Sequence, residues 1–422
     1  MITPGADGSL LVRGIGSLVA VPRGPLCGAA MSELPTIRDA AIVMENGRLA
    51  WFGPQRDLPT GAAALPALDA RGGCVIPGLI DCHTHIPFAG DRVDEFVRRV
   101  AGESYLSIMQ AGGGIRVTMR AVRSASEPQL VEQALPRLRR MLAGGVTTVE
   151  CKSGYGLTAD DELKQLRAIR ALADLVPQRL VPTYMGAHAL PPEYDGRADA
   201  FLDHIASDDL LATIAREKLA RFCDVFCDRG AFDVPQARRV LERGLRHGLV
   251  PKLHADELAQ IGASALAGEL RAASADHLEH LDDAGMDALR RGGVTAVVLP
   301  GTSFFLGIPH ADARRMIRSG LTVALATDCN PGSCMIESLA FILHIAVCQL
   351  RMLPNEALAA CTANAAAALR LQDEVGAIER GLAADLVVLD CTRLDDWFYT
   401  PGRDRVRVVI RAGRVVHESP TH

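Results

Sequence analysis

Between residues 78 and 370, apolar runs with the length of β-strands alternate with amphipathic stretches of helical periodicity. This alternation is typical of βα units, which build a parallel sheet. There are eight such runs, the number of strands that a TIM (β/α)8 barrel requires. The runs end within residues 81–85, 147–152, 181–188, 222–228, 250–254, 274–277, 296–300 and 323–328. We therefore expect an α/β protein with a TIM barrel.

A doubly wound open sheet has the same periodicity and is the alternative fold. Sheets of that kind often bind dinucleotides through a Gly-x-Gly-x-x-Gly turn directly after a strand. No such turn follows any of the eight runs, and Gly112-Gly113-Gly114 lies in a long connection without a preceding strand. The barrel is therefore preferred. The glycine run itself could form a mobile lid or only a tight connection.

Both ends of the chain contain short strand-like segments instead of βα units. Glu45-Asn46-Gly47-Arg48 joins two of these segments and carries the Asn-Gly turn of a β-hairpin. We expect residues 1–77 and 371–422 to form one small β-sandwich beside the barrel of residues 78–370.

Composition excludes several classes of protein. The 422 residues are 49% hydrophobic with a net charge of −5, which allows a large core and leaves no electrostatic footprint for nucleic acid. No run reaches the ~18 apolar residues of a membrane span, and the first residues do not resemble a signal peptide. Eleven cysteines without paired short spacings indicate reduced thiols, so a cytoplasmic protein is expected.

Ionisable residues stand at the ends of several runs, where a barrel would place them in one mouth. His83 and His85 alternate with Thr84, so both imidazoles point the same way along a strand. Two histidines can also meet by chance or cap a strand. However, His254 ends the fifth run and Asp328 the eighth. Together the four residues predict a metal site, with His277 at the sixth strand beside it.

This arrangement resembles the amidohydrolase superfamily of metal-dependent hydrolases. The shared pattern is His-x-His on strand one, histidines on strands five and six, an aspartate on strand eight, and a sandwich from both termini. Many members hold two metals bridged by a carboxylated lysine at the end of strand four. Here that strand ends Phe226-Cys227-Asp228 and Lys152 lies on strand two. The resemblance therefore implies one zinc or iron ion per chain.

Longer stretches are similar to the imidazolonepropionase family of histidine degradation. Members hydrolyse the ring amide of 4-imidazolone-5-propanoate to N-formimidoyl-L-glutamate. The similar segments are 86–92, 111–115, 152–157, 185–189, 254–257 and 327–333. They occur in order over most of the chain.

The resemblance also implies roles for individual residues. Glu257 would move a proton between the water and the leaving ring nitrogen, and His277 would hydrogen-bond the water or the developing oxyanion, or orient a neighbour. Asp328 would be both a ligand and a catalytic residue. Arg92 suits the substrate carboxylate, although an arginine there can also be solvated surface. The complete substrate-binding set would be Arg92, Tyr105, Tyr155, His188, Glu257, Asn330, Gly332 and Ser333.

Two other readings stay open. A different mononuclear amidohydrolase, such as a deaminase or a cyclic amidase on another ring, would share the fold and the metal. A non-catalytic barrel that serves as an assembly partner should have lost ligands, and this chain keeps all four. The expected partner is a small-molecule substrate, without nucleic acid or membrane, and a homodimer is the assembly suggested by the resemblance.

Overall fold

The computed structural model describes residues 8–103, 107 and 112–420. Tyr105, predicted to contact the substrate, lies outside the described residues. The described strands form two sheets, one mixed and one parallel.

The first strands of the chain belong to the mixed sheet. They are β1 (Leu10–Val19), β2 (Thr36–Glu45), β3 (Arg48–Pro54), β4 (Ala67–Asp69) and β5 (Cys74–Pro77). The predicted hairpin joins β2 to β3, and its turn residues Asn46 and Gly47 have φ angles of 51° and 73°. Positive φ at both positions matches the twist of the flanking strands, which explains the Asn-Gly pair.

Eight parallel strands form the second sheet and confirm the predicted barrel. They are β6 (Leu79–Asp81), β7 (Val146–Lys152), β8 (Arg179–Ala187), β9 (Phe222–Cys227), β10 (Val250–Ala255), β11 (Ser274–His277), β12 (Thr295–Val298) and β13 (Val323–Leu325). Each strand pairs with the next one in the chain. The seventh run is shorter than predicted because Pro300 begins a helix, where its missing N–H is tolerated.

The barrel closes where β6 meets β13, and this seam positions the site. Thr327 donates from its amide and its hydroxyl to the carboxylate of Asp81, at 3.1 and 2.7 Å. Just beyond the strands, the Asp328 amide donates to the His83 carbonyl and the His85 amide to the Cys329 carbonyl, both at 3.0 Å. Backbone hydrogen bonds thus place His83, His85 and Asp328 side by side.

The last strands return to the mixed sheet. They are β14 (Leu386–Leu389), β15 (Val406–Arg411) and β16 (Arg414–Glu418). β14 pairs antiparallel with β5, so both ends of the chain share one sheet. Gly78 alone separates β5 from β6. We therefore propose the division expected from the sequence, with boundaries after residues 77 and 370.

Helices connect the barrel strands and cover them. They are α1 (Val93–Val100), α2 (Ile115–Ser124), α3 (Glu127–Ala143), α4 (Ala159–Ala173), α5 (Ala198–Ile205), α6 (Asp208–Arg216), α7 (Val234–Arg246), α8 (Ala263–Glu269), α9 (Asp283–Gly292), α10 (Pro300–Leu306), α11 (Ala313–Arg318), α12 (Leu339–Cys348), α13 (Pro354–Ala360), α14 (Ala363–Ala368) and α15 (Leu394–Tyr399). Capping boxes begin two of them: Ser126 with Gln129 starts α3, and Asp233 with Gln236 starts α7. Within the described ranges, none of these helices has the length and apolar character needed to cross a membrane.

The buried apolar side chains lie between the barrel strands and their helices and within the mixed sheet. One large apolar core joins the barrel helices to the strands, and a second core lies within the mixed sheet around Leu10, Val12, Ile42 and Val388. All eleven cysteines are free thiols, and eight of them are buried. The eight buried thiols therefore act as small core residues.

Candidate metal and active site

Four side-chain atoms converge at the carboxyl ends of the barrel strands. His85 Nε2 lies 3.3 Å from both His83 Nε2 and His254 Nε2. Asp328 Oδ1 lies 3.3 Å from His83 Nε2 and 3.4 Å from His85 Nε2. All four side chains are almost completely buried. The structure therefore brings together the four residues that the sequence singled out as possible ligands.

This geometry fits a cation. Ligand atoms about 2.0–2.1 Å from a zinc ion and at tetrahedral angles are separated by about 3.3–3.4 Å, which is the spacing of the four atom pairs given above. Burial, together with the neighbouring His83 and His254, lowers the pKa of His85 to about 4, so its imidazole is neutral and has a lone pair to give. Asp328 Oδ1 is buried without a hydrogen-bond partner among the described residues. A neutral His85 imidazole beside an unpartnered carboxylate oxygen suits a divalent metal.

Three of the four side chains also form a hydrogen bond through the atom that does not face the centre of the group. His83 Nδ1 lies 2.6 Å from Asp276 Oδ2, and His254 Nδ1 lies 3.1 Å from Asp224 Oδ1. A carboxylate accepts, so each Nδ1 carries a proton and each Nε2 faces its neighbours. The hydroxyl of Thr302 donates to Asp328 Oδ2 at 2.6 Å, which leaves Oδ1 for the centre. His85 differs, because its Nδ1 has no partner in the described part of the chain.

A buried ionic cluster lies below these residues inside the barrel. Lys152 Nζ is 2.9 Å from Glu150 Oε2 and 2.7 Å from Asp224 Oδ2. Lys252 Nζ is 2.8 Å from Glu150 Oε1 and 3.7 Å from Asp276 Oδ2. The five side chains have 0% exposure. Buried charges are tolerated only when paired, and here the two carboxylates that hold His83 and His254 are paired with lysines.

Sequence reasoning missed this cluster, although the pattern was present. Glu150 and Lys152 alternate along β7, and Lys252 precedes His254 by two residues on β10. Alternate residues of a strand share one face, so these charges point into the barrel together with the metal-site histidine. Burial lowers the pKa of Lys152, but Asp224 and Glu150 outweigh burial and raise it above its ordinary value.

The two residues predicted to transfer protons lie beside the four-residue group. Glu257 Oε2 is 3.5 Å from His277 Nε2, and the His277 ring centroid is 5.2 Å from that of His254. Burial, with Glu279 close by, raises the pKa of Glu257 well above its ordinary value. Burial lowers the pKa of His277 well below its usual range. The raised pKa makes Glu257 a stronger base than an ordinary carboxylate, and His277 stays neutral near neutral pH.

Asp228 explains how the Glu257 loop is fixed. Its carboxylate accepts from the amides of Glu257, Leu258 and Ala259 at 2.7, 2.9 and 3.0 Å. At the end of strand four, this chain thus has a residue that anchors a loop. Strain marks the same region, since His277 and Asp328 have φ angles of 80° and 55°.

Tyr155 and His188 form an aromatic wall on one side of the site. The His188 ring stacks on that of His85, with centroids 5.0 Å apart, and Tyr155 lies 5.2 Å from His188. His188 Nδ1 donates to the Gly154 carbonyl at 2.9 Å. Gly154 has a φ of 116°, which only glycine adopts readily, so the loop can pass close to the histidine. Both predicted residues therefore face the four-residue group.

The remaining predicted residues lie on the loop after β13 and against it. Arg92 Nη1 packs so closely on Gly332 that a Cβ there would lie 2.1 Å away. Asn330 Oδ1 accepts from the amides of Gly332 and Ser333, both at 2.8 Å, so this amide side chain shapes the loop. A pocket of about 200 Å³ between α1 and this loop is lined by Arg92, Glu95, Phe96, Phe305 and Gly332.

The amidohydrolase family model matches residues 74–416. An imidazolonepropionase of Symbiobacterium thermophilum is 47% identical over 412 residues, which are 96% of this chain and 97% of that protein. An imidazolonepropionase of Myxococcus xanthus is 46% identical over 409 residues, 96% of each chain.

Solved structures share the fold at much lower identity. An adenosine deaminase from Xanthomonas campestris with bound zinc matches with a TM-score of 0.69 and 20% identity, over 96% of this chain and 92% of that one. An atrazine chlorohydrolase from Arthrobacter aurescens complexed with zinc matches with a TM-score of 0.71 and 19% identity, over 97% and 95%.

Proposed function

The chain belongs to the amidohydrolase family, and on that premise we propose that one metal ion, held by His83, His85, His254 and Asp328, serves its imidazolonepropionase reaction. The enzyme hydrolyses the ring amide C–N bond of 4-imidazolone-5-propanoate, giving N-formimidoyl-L-glutamate, a step of histidine degradation. The family is metal-dependent. The observation that carries the ligand assignment is the series of 3.3–3.4 Å separations that connects His254 to His85, His85 to His83, and both of these to Asp328.

We propose that the ion is zinc or iron. Three imidazoles and a carboxylate suit zinc or iron. When bound, the ion polarises the amide carbonyl and makes water acidic enough to lose a proton near neutral pH. Lys152 is engaged by Glu150 and Asp224, and strand four ends in the loop-anchoring Asp228, so the chain offers no lysine there to bridge a second ion.

Glu257 moves the proton in this mechanism. Its carboxylate takes a proton from the attacking water, whose oxygen forms a bond to the ring carbonyl carbon. When the C–N bond breaks, the same proton passes to the departing ring nitrogen. The raised pKa of Glu257 suits a group that must both take and give a proton. His277, neutral and next to Glu257, donates a hydrogen bond to the oxygen that becomes negative.

The loop after β13 binds the substrate carboxylate. Arg92 presents a planar cation over Gly332, and the hydroxyl of Ser333 lies on the same turn. Tyr155 and His188 flank the imidazolone ring. Asn330 acts by shaping the turn, and Tyr105 stays a prediction for the same pocket. We also propose a cytoplasmic location, because all eleven cysteines are free thiols, as is usual in a reducing compartment.

The test is to incubate the metal-loaded protein with 4-imidazolone-5-propanoate and to detect N-formimidoyl-L-glutamate by mass spectrometry. His254→Ala is the matched negative control because it removes one ligand. Chelation should abolish turnover, and one equivalent of zinc or iron should restore it. If no product forms from 4-imidazolone-5-propanoate, and the protein instead releases ammonia from an amino-substituted ring compound in a separate assay, the chain is a deaminase. Two tightly held ions per chain would contradict the single-ion site.

A further inference from the structure

Glu95, on the first turn of α1, holds the side chain of Arg92. Arg92 Nε and Nη2 both donate to Glu95 Oε2, at 2.9 and 2.7 Å. The two side chains are only 12% and 14% exposed, so water competes little for this pair. A partly buried contact through two nitrogens orients the guanidinium far better than a surface ion pair does.

The contact with Glu95 occupies one edge of the Arg92 guanidinium. Another edge stays available on the side of the pocket. Glu95 occupies the edge formed by Nε and Nη2, whereas Nη1 rests on Gly332. Arginine has five donors in a fixed plane, so fixing one edge fixes the direction of the others. Glu95 therefore determines where Arg92 can offer hydrogen bonds to a ligand beside Gly332.

The same carboxylate also holds the glycine run. Glu95 Oε1 accepts from the Gly114 amide at 3.0 Å, and Gly114 immediately precedes α2. Gly114 has φ 75° and ψ −157°, a conformation that is essentially restricted to glycine. Arg120 Nη2 donates to the Gly112 carbonyl at 3.1 Å. The Glu95 side chain thus links Arg92 to the glycine run 112–114, for which the sequence allowed either a lid or a tight turn.

We propose that Glu95 is a positioning residue that sets specificity for the carboxylate of the substrate. It fixes Arg92 in the orientation that meets the carboxylate, and it couples carboxylate binding to the 112–114 connection. The inference rests on the proposed function, in which Arg92 binds the propionate. Without Glu95, the long arginine side chain loses its fixed direction and Gly114 loses its acceptor.

The experiment compares two substrates in several variants. Glu95→Gln and Glu95→Ala are assayed with imidazolonepropionate and with its primary amide, which lacks the negative charge. Glu103→Gln is the matched control, because Glu103 forms a similar pair with Arg98 of the same helix, with contacts of 2.7 and 2.6 Å, but at 31% and 37% exposure. Metal content and melting temperature are measured for each variant.

The expected result is a split between KM and kcat. For the carboxylate substrate, both Glu95 variants should raise KM by about 10- to 100-fold, the effect of a small misplacement of a binding group, with kcat nearly unchanged. The amide substrate and the Glu103→Gln control should change little. In the Arg92→Ala background, Glu95→Gln should add nothing, because the two residues act as one unit.

Other results would overturn the inference. An unchanged KM would mean that Glu95 does not position Arg92, and a lower KM would mean that Glu95 competes with the substrate for Arg92. Equal losses with both substrates would indicate a purely structural residue. If Arg92→Ala itself left KM unchanged, the carboxylate assignment of the proposed function would fail first, so the two failures are distinguishable.

Discussion

His83 Nδ1 and Asp276 Oδ2 lie 2.6 Å apart, and both side chains have no solvent exposure. This hydrogen bond fixes the imidazole tautomer and directs Nε2 to the proposed metal. The carboxylate is also 3.7 Å from Lys252, so it connects a ligand to the buried ionic cluster.

Asp276→Asn should weaken metal binding by about 10- to 100-fold, because an amide oxygen is an uncharged and weaker acceptor than a carboxylate. The affinity is measured by competition with a chromogenic chelator. Asp287→Asn, an exposed aspartate paired with Arg290, is the control and should bind metal normally. Equal affinities in the two variants would argue against the role of Asp276.

Thr302→Val should also lower metal affinity, by about tenfold, because it removes the hydroxyl that orients Asp328. The shape of the side chain is nearly kept, so the melting temperature should change little. The adjacent Ser303→Ala is the matched control, since Ser303 donates to Glu279 at 3.3 Å and not to a ligand. A comparable loss of affinity in both variants would contradict the prediction.

Glu257→Gln should reduce kcat by about 100- to 10,000-fold and leave metal content unchanged, because the amide keeps the shape but cannot take a proton. Turnover and metal stoichiometry are measured on the same preparation. Glu242→Gln, on the outer part of α7, should behave as the parent enzyme. Near-normal turnover in Glu257→Gln would mean that His277 or Asp328, and not Glu257, transfers the proton.

Glu279 should make the metal-free protein less stable as the pH rises. Burial raises its pKa from 4.5 to about 8, so the folded state binds this proton more tightly than the unfolded state does. The stabilisation is complete below pH 4.5 and is lost as pH increases toward about 8, by up to about 1.4 kcal/mol per pH unit. Glu279→Gln should flatten that slope in urea unfolding. An identical pH profile in variant and parent would contradict the burial effect.

The barrel and the four converging residues could be predicted from the sequence because both follow from position along the strands. Eight runs give a closed sheet, and the ends of its strands must share one mouth. His83, His85, His254 and Asp328 all stand at such ends, so a local pattern was enough to bring together residues that are remote in the chain.

The buried cluster and the Glu95 contact were not predicted, for different reasons. Glu150, Lys152 and Lys252 interrupt apolar strands, and only the closed barrel shows that their charges meet. Glu95 is three residues from Arg92 at the start of a helix, where such a pair is normally a weak surface interaction. Its low exposure, which comes from tertiary packing, distinguishes it.

The seam between β6 and β13 also affects the order of events during synthesis. Asp81 and Thr327 are 246 residues apart, so a ribosome makes the first half of this joint long before the second. Until Asp328 has been made, His83 and His85 lack the carboxylate with which they would hold the proposed ion. A nascent chain therefore cannot complete the proposed metal site before β13, the last strand of the barrel, has been made.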